Sequence, residues 1–267
     1  MSVANQHFRA EHKIDMHRHA LEPPSSGFVD PFWLPRDLAH QSTVPEMIRE
    51  TLRVLEQFNI VKAVTSGRYN LVTQWKAAAP DRIITGLHFV GPENIDPIDV
   101  SFLRQEFSAR RLEVFGEVVA QLFGLSPSDN AFERYFALCE ELDVPVAIHT
   151  GFPPPGAAYY GLPKLRAALG NPLLLEDGLV RHPKMRVYIM HGGYPFLEET
   201  IALLHAHPQV YVDLAGIDWQ IPRQEFHDHL RRLVQAGFGK RIMFGTDQMI
   251  WPESIGWQSR QLSRHLF

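Results

Sequence analysis

Short apolar segments alternate with longer amphipathic segments along the whole chain. The segments between the apolar ones, such as 44–59 and 129–143, carry apolar residues at spacings of three and four, which predicts helices. The alternation of strands with helices indicates right-handed βαβ units and a parallel sheet. The predicted strands comprise residues 13–19, 60–66, 83–90, 113–121, 144–149, 185–191, 209–214 and 241–246.

Eight strand–helix repeats predict a closed α/β barrel of the (β/α)8 or TIM type. A chain of 267 residues has the usual length for one such barrel, so we expect a single domain over 1–267. An open doubly wound sheet is the alternative, but no GxGxxG motif follows the first strand. The chain ends 20 residues after Asp247, so the eighth helix is expected to be short or incomplete.

Composition narrows the class of protein. The net charge is -4, and acidic and basic residues are mixed, so no basic block indicates a nucleic-acid partner. The first residues lack the apolar core of a signal peptide, and no apolar run is long enough to span a membrane. The single cysteine, Cys139, excludes an internal disulfide framework. We therefore expect a cytoplasmic protein with a small-molecule partner, compatible with a homo-oligomer.

Histidine pairs provide the first indication of chemistry. The chain contains 14 histidines, and at that content chance gives about one His-x-His pair, whereas three occur. His17 and His19 lie on the first predicted strand, where residues two apart share a face, so both can reach one metal ion. The pairs 205/207 and 227/229 lie in helical segments, where residues two apart point in different directions.

Further metal-binding residue types stand at the ends of other predicted strands. His149, His191 and Asp247 end the fifth, sixth and eighth strands, and Glu117 lies in the fourth. Singly, each has a structural explanation, such as a helix N-cap for Asp247. In a barrel, however, the carboxyl ends of the strands meet at the catalytic face. Imidazole and carboxylate groups together predict a site for Zn²⁺ or a related divalent cation.

Five segments in this order resemble the amidohydrolase superfamily, specifically its amidohydrolase-2 branch. They are "IDMHRHA", "GEVVAQ", "VPVAIHTG", "VYIMHGG" and "IMFGTDQM", and the resemblance extends from residue 14 to about residue 255. That branch includes lactonases, other metal-dependent hydrolases and aminocarboxymuconate semialdehyde decarboxylase-like enzymes. One departure is Met249, which stands where many relatives have proline.

The resemblance implies one or two divalent metal ions per chain, with zinc as the expected metal. It also implies that His191 contacts a second metal or the reacting groups, that Asp247 takes and returns the proton of water, and that Glu117 bridges two metals. The implied metal ligands are His17, His19, Glu117, His149, His191 and Asp247.

The leading functional prediction is hydrolysis of a small ester, lactone or amide, with Asp247 as general base and acid and His191 as a catalytic partner. Non-oxidative decarboxylation of an aromatic or muconate-type acid is the alternative, and a catalytically silent binding barrel is a third reading. Arg18 is expected to form a salt bridge, and Asp213 to support the site. Candidate substrate-binding residues are Arg68, Phe152, Tyr160, Tyr194 and Trp219.

Overall fold

The structure, a computed structural model, describes residues 11–23, 41–89, 98–159 and 161–256. It contains a parallel sheet of eight strands in which each strand pairs with the next one along the chain. The predicted alternation of strands and helices is therefore confirmed. The strands are β1 (Lys13–Ala20), β2 (Ile60–Gly67), β3 (Ile83–Phe89), β4 (Val114–Val118), β5 (Val146–Ile148), β6 (Val187–Ile189), β7 (Val210–Asp213) and β8 (Ile242–Met243).

The sheet closes into a barrel where the chain beyond β8 meets β1. The backbone N–H of Met16 donates to the carbonyl of Phe244 at 2.9 Å, and that of His19 donates to Gln248 at 2.8 Å. In the other direction, the N–H of Asp247 donates to the carbonyl of His17 at 2.7 Å. These bonds confirm the (β/α)8 barrel predicted from the sequence.

Helices connect the strands on the outside of the barrel, and none in the described part of the chain is long and apolar enough to cross a membrane. The first begins after Thr43, whose side chain caps the backbone N–H of Glu46, and Pro45 occupies its first turn. The helices are α1 (Val44–Gln57), α2 (Tyr69–Ala78), α3 (Val100–Ser108), α4 (Glu133–Leu142), α5 (Glu176–Arg181), α6 (Leu197–Ala206), α7 (Ile217–Gln220) and α8 (Arg223–Leu233).

Strands β5, β6 and β8 are shorter than predicted, and this difference positions the site. Each ends before the polar residue expected at its end, so His149, His191 and Asp247 lie where the backbone leaves the barrel. His191 and Asp247 have positive φ angles of 58° and 50°, which are uncommon for residues other than glycine. The local turns direct both side chains toward the mouth of the barrel.

The main core lies between the outer face of the barrel and its helices. Trp75, Phe115 and Phe136 are fully buried there, and Cys139 of α4 is 1% exposed. Burial raises the pKa of the Cys139 thiol. This cysteine therefore acts as a small apolar side chain in the helix interface.

The salt bridge predicted for Arg18 is not what the structure shows, because the hydrogen-bond partners of Arg18 are neutral. The guanidinium is completely buried, with Nε and one terminal nitrogen donating to Oε1 of Gln248 and the other terminal nitrogen donating to Thr65. Its carbon lies 4.2 Å from the ring centroid of Trp75. The expected salt bridge is thus replaced by hydrogen bonds and a cation–π contact that tie β1 to β2, α2 and the segment after β8.

The segment after β8 continues into one helical turn at residues 254–256. The predicted short or incomplete eighth helix otherwise falls on residues 257–267, which lie outside the described residues.

Candidate metal centre

All six residues predicted as metal ligands lie together at the carboxyl ends of the strands. β1 supplies two histidines, β4 supplies the glutamate, and the turns after β5, β6 and β8 supply the other three. Each is at most 8% exposed, so the cluster is shielded from bulk solvent. The six residues are His17, His19, Glu117, His149, His191 and Asp247.

Glu117 lies between two pairs of histidines, and each of its oxygens faces one pair. Oε2 is 3.7 Å from Nε2 of His17 and 3.5 Å from Nε2 of His19. Oε1 is 2.6 Å from Nδ1 of His149 and 3.6 Å from Nε2 of His191. The carboxylate therefore belongs to two adjacent groups of donor atoms.

Asp247 completes the first of these groups. Its Oδ1 lies 3.1 Å from Nε2 of His19 and 3.5 Å from Nε2 of His17. The first group thus contains two imidazole nitrogens and two carboxylate oxygens. The second contains Nδ1 of His149 and Nε2 of His191, which are 3.2 Å apart, together with one oxygen of Glu117.

The arrangement fits divalent cations. Ligand atoms held about 2.0–2.2 Å from a tetrahedral ion lie roughly 3.4 Å apart, close to most of the separations observed here. Nε2 of His17 is buried and has no hydrogen-bond partner in the described residues. Buried polar atoms normally have partners, and such a nitrogen is suited to hold a metal ion. The mixed nitrogen and oxygen donor set suits Zn²⁺ and Mn²⁺.

Asp213, at the end of β7, orients two of the histidines. Its Oδ1 accepts hydrogen bonds from the backbone N–H groups of His191 and Ala215, and its Oδ2 is 3.3 Å from Nδ1 of His17. Nδ1 of His191 lies 2.8 Å from the carbonyl oxygen of Ala215. The bond to Ala215 places a proton on Nδ1 of His191 and leaves its Nε2 lone pair free for the centre. For His17, the negative charge of Asp213 favours the same tautomer without a hydrogen bond.

The charges of the cluster stabilise one another. Burial alone would lower the pKa of His17, but the carboxylates of Asp213, Glu117 and Asp247 raise it well above its usual value. Burial would raise the pKa of Glu117, whereas His149, His17 and His191 hold it well below its ordinary range. Glu117 is therefore ionised at neutral pH, while His17 carries a proton that a metal ion must displace.

The pKa values of the other ligands also reflect opposing effects of burial and of nearby charges. Burial favours a protonated Asp247, but the contact with His19 and the charges of His17 and His191 lower its pKa. Burial lowers the pKa of His149, despite the nearby Glu117. Burial also acts to lower the pKa of His191, but Glu117 and Asp247 outweigh it and raise that pKa.

Gly216 allows the cluster to pack closely, and sequence reasoning missed it. It has a φ of +80°, and a Cβ at this position would lie 2.7 Å from Oδ2 of Asp247 and 3.0 Å from Nδ1 of His191. Both the backbone conformation and the contact distances require glycine. The sequence signal was weak because glycine is common in loops that follow strands.

A cavity of about 230 Å³ opens above the candidate ligands. The structure brings two of the predicted substrate-binding residues, Phe152 and Trp219, to its wall. The wall also includes residues that the sequence analysis did not single out as cavity residues, namely Leu21, His88, Val119, Leu122, Pro154, Gln220, Met249 and Trp251.

The other predicted substrate-binding residues lie elsewhere. Arg68 is exposed at the start of α2 and is not among the described residues of the wall. Tyr194 stands behind the wall, with its ring 5.6 Å from that of Phe152 and its hydroxyl bonded to Glu225. Tyr160 lies outside the described residues.

His88, on β3, is a wall residue of the same type as four of the six predicted ligands. Its ring centroid is 5.6 Å from that of His19, and its Nε2 is buried without a hydrogen-bond partner in the described residues. Burial, reinforced by the neighbouring histidines, lowers the pKa of His88 to about 4. The strand-end argument that found His149 could also have found His88, which lies one residue before the end of β3.

The two remaining His-x-His pairs do not take part in this centre, as the helical spacing predicted. His207, just after α6, has Nε2 3.2 Å from Glu176. His229, on α8, has Nε2 2.9 Å from the carbonyl oxygen of Gly192. Neither pair belongs to a group of potential metal ligands found among the described residues.

Comparisons with known proteins agree with this geometry. The amidohydrolase family profile, Amidohydro_2, matches residues 14–266. The curated protein fluG of Emericella nidulans is 25% identical over 117 residues, which are 44% of this chain and 13% of that protein. The chain thus matches only a small part of that relative's length.

Two solved structures illustrate the similarity of fold. A probable 2-pyrone-4,6-dicarboxylic acid hydrolase of Acinetobacter baumannii, with citric acid bound, is 15% identical with a TM-score of 0.58, covering 95% of both chains. A dihydroxybenzoic acid decarboxylase of Polaromonas sp. JS666, with bound manganese and the inhibitor 2-nitroresorcinol, is 14% identical with a TM-score of 0.60. The latter match covers 96% of this chain and 91% of the decarboxylase.

Proposed function

The chain belongs to the amidohydrolase family, which comprises metal-dependent hydrolases and decarboxylases, and from this premise we propose that it hydrolyses a small ester, lactone or amide. The observation that carries the proposal is the position of Glu117, whose two oxygens face two different groups of donor atoms. A carboxylate shared between two metal ions is suited to activating water for attack on a carbonyl carbon.

The proposed centre holds two divalent cations. His17, His19, Asp247 and one oxygen of Glu117 would hold the first, and His149, His191 and the other oxygen would hold the second. When bound, such cations lower the pKa of water toward ~7 and polarise a carbonyl oxygen. We propose zinc because the donors are imidazoles and carboxylates, and manganese is the alternative that the Polaromonas decarboxylase contains.

Asp247 would move the proton during the reaction. Its carboxylate is ionised at neutral pH and lies at the floor of the cavity, so it can accept a proton from the attacking water. The hydroxyl group adds to the acyl carbon, and the bond from that carbon to the leaving oxygen or nitrogen breaks. Asp247 then returns the proton to the leaving atom, so that the products are an acid and an alcohol or amine.

The other residues would bind and orient the substrate. His191 faces the cavity beside Glu117, and because its Nδ1 is bonded to Ala215, its Nε2 would hold the second cation at the place where the substrate carbonyl oxygen must lie. The apolar side chains around Phe152 and Trp219 would exclude water from the remainder of the substrate.

Non-oxidative decarboxylation is the second candidate, favoured by the similarity over 96% of the chain to the Polaromonas decarboxylase. It would use the same histidines with one cation. A catalytically silent barrel is the third candidate, and the presence of six candidate ligands together in one buried cluster argues against it.

The test is a substrate panel on protein loaded with zinc or with manganese. We expect hydrolysis of at least one ester, lactone or amide and no release of carbon dioxide from 2,6-dihydroxybenzoate. His17→Ala should abolish that hydrolysis, whereas His205→Ala, an exposed histidine outside the centre, should retain it. Carbon dioxide release without hydrolysis would replace the proposal with the second candidate.

A further inference from the structure

The cavity wall beyond the candidate ligands is mostly apolar. Three of its side chains, Phe152, Trp219 and Trp251, are aromatic, and among the described wall residues none is lysine or arginine. Large planar side chains of this kind favour contact with another ring. An apolar cavity of roughly 150 Å³ accommodates benzene, so about 230 Å³ suits one substituted ring.

Among the described residues, neither arginine that was considered for this part of the barrel can pair with a substrate carboxylate placed against the wall. Arg18 is directed into the core, where its donors bind Gln248 and Thr65, and Arg68 is exposed and is not one of the described wall residues. A carboxylate removed from water without a cationic partner is strongly disfavoured.

We propose that the enzyme acts on an uncharged acyl compound with one aromatic-sized ring, such as an aryl ester or a ring-fused lactone. The reaction part of this inference rests on the proposed function, whereas the recognition part rests on the cavity wall. The preference differs from that named for the Acinetobacter structure, whose stated substrate class carries two carboxylic acid groups.

The first experiment compares two aryl acetates that differ only in the para substituent, on the zinc-loaded protein. 4-Methylphenyl acetate is neutral, and 4-acetoxybenzoate replaces its methyl group with a carboxylate. We expect kcat/KM to be about tenfold or more higher for the neutral ester, because the described wall residues include no lysine or arginine to pair with the carboxylate. An equal or higher value for 4-acetoxybenzoate would overturn the inference while leaving hydrolysis itself established.

A cation introduced into the wall should change the preference. Leu122, half-buried on the turn after β4, lines the cavity and is the position to alter. Leu122→Arg should shift the ratio of kcat/KM toward 4-acetoxybenzoate, whereas Leu122→Met should keep the wild-type direction of preference. A shift of the same size in both variants would argue against a charge effect and overturn the inference.

A binding measurement separates failure of recognition from failure of the reaction. The ketones 4-methylacetophenone and 4-acetylbenzoate carry the same para substituents and an acetyl group but lack the ester oxygen and cannot be hydrolysed, and the tryptophans of the wall provide a fluorescence signal. Tighter binding of the neutral ketone, with no hydrolysis of any ester, lactone or amide in the panel, would refute the proposed function and keep the recognition inference. Tighter binding of 4-acetylbenzoate would overturn that inference.

Discussion

Oε1 of Glu117 lies 2.6 Å from Nδ1 of His149, although the two residues are 32 positions apart in the chain. Parallel pairing of β4 with β5 brings them together, since Val118 is the partner of Ile148 and the two residues flank that pair. The contact places one Glu117 oxygen in the second donor group and leaves the other for His17 and His19. Glu117 is therefore the residue on which the number of metal ions depends.

Replacing Glu117 by glutamine should lower the metal content of the protein. An amide retains the shape but offers one weaker oxygen ligand, so we expect about two zinc ions per chain in the wild type and about one or none in Glu117→Gln. Elemental analysis after dialysis measures this ratio. Glu113→Gln, at the opposite end of the β4 segment, is the matched control and should keep the wild-type content. An unchanged content in Glu117→Gln would exclude a bridging carboxylate.

Asp247→Asn should reduce turnover more strongly than substrate binding. Asparagine cannot accept the proton of the attacking water, and loss of a general base typically costs ~10²–10⁴-fold in rate. We expect kcat to fall in this range, with KM changed much less, in steady-state assays on the metal-loaded variant. Asp228→Asn, an exposed change on α8, serves as the control. Full activity of Asp247→Asn would remove Asp247 from the mechanism.

The eight strands and the six candidate ligands could be predicted from sequence because two independent patterns agree. Strand periodicity decides which residues share a face, and parallel βα repeats decide which strand ends meet, so His17 and Asp247 were assigned to one site although 230 residues separate them. The helical spacing of the pair 227/229 excluded it by the same geometry. These arguments depend only on backbone regularity.

The cavity wall was harder to predict because it is built by irregular segments. Trp251 reaches the cavity from the segment after β8, and Gln220 reaches it from the short helix α7, so neither has a periodic signal. Arg18 was misjudged because strand alternation gives the face of a residue but not its partner. Its guanidinium donates to Gln248 on the segment after β8, and this contact is determined by tertiary structure.

Gly216→Ala should impair the centre while leaving the barrel folded. The new Cβ would lie 2.7 Å from Oδ2 of Asp247, so that carboxylate must move away from its position beside His19. We expect a large loss of kcat and weaker zinc binding, measured by activity assays and calorimetry. Gly237→Ala is the control because its φ of +94° carries similar backbone strain and its Cβ would meet nothing within 4 Å. Equal effects of the two variants would attribute the loss to strain alone.

Zinc affinity should rise with pH around neutrality. The carboxylates near His17 raise its pKa well above the usual value, so the metal-free protein holds a proton there at neutral pH. Glu117, with its lowered pKa, contributes no proton in the same range. Each displaced proton increases affinity about tenfold per pH unit below the pKa of the group. Calorimetry in two buffers of different ionisation enthalpy counts the released protons, and a pH-independent affinity would contradict the assignment of His17 as a ligand.

Arg18→Met should destabilise the protein because it leaves the buried polar partners of the guanidinium without hydrogen-bond donors. Methionine fills much of the buried volume, but Gln248 and Thr65 lose donors that water cannot replace. We expect the free energy of unfolding of the metal-loaded protein to fall by about 2–4 kcal/mol, measured by urea denaturation. Arg53→Met, which removes an exposed ion pair on α1, should have little effect. In the double variant Arg18→Met/Gln248→Leu both ends of the contact are apolar, so part of the stability should return. A further loss in the double variant would show that packing of Gln248, rather than its bond to Arg18, closes the barrel.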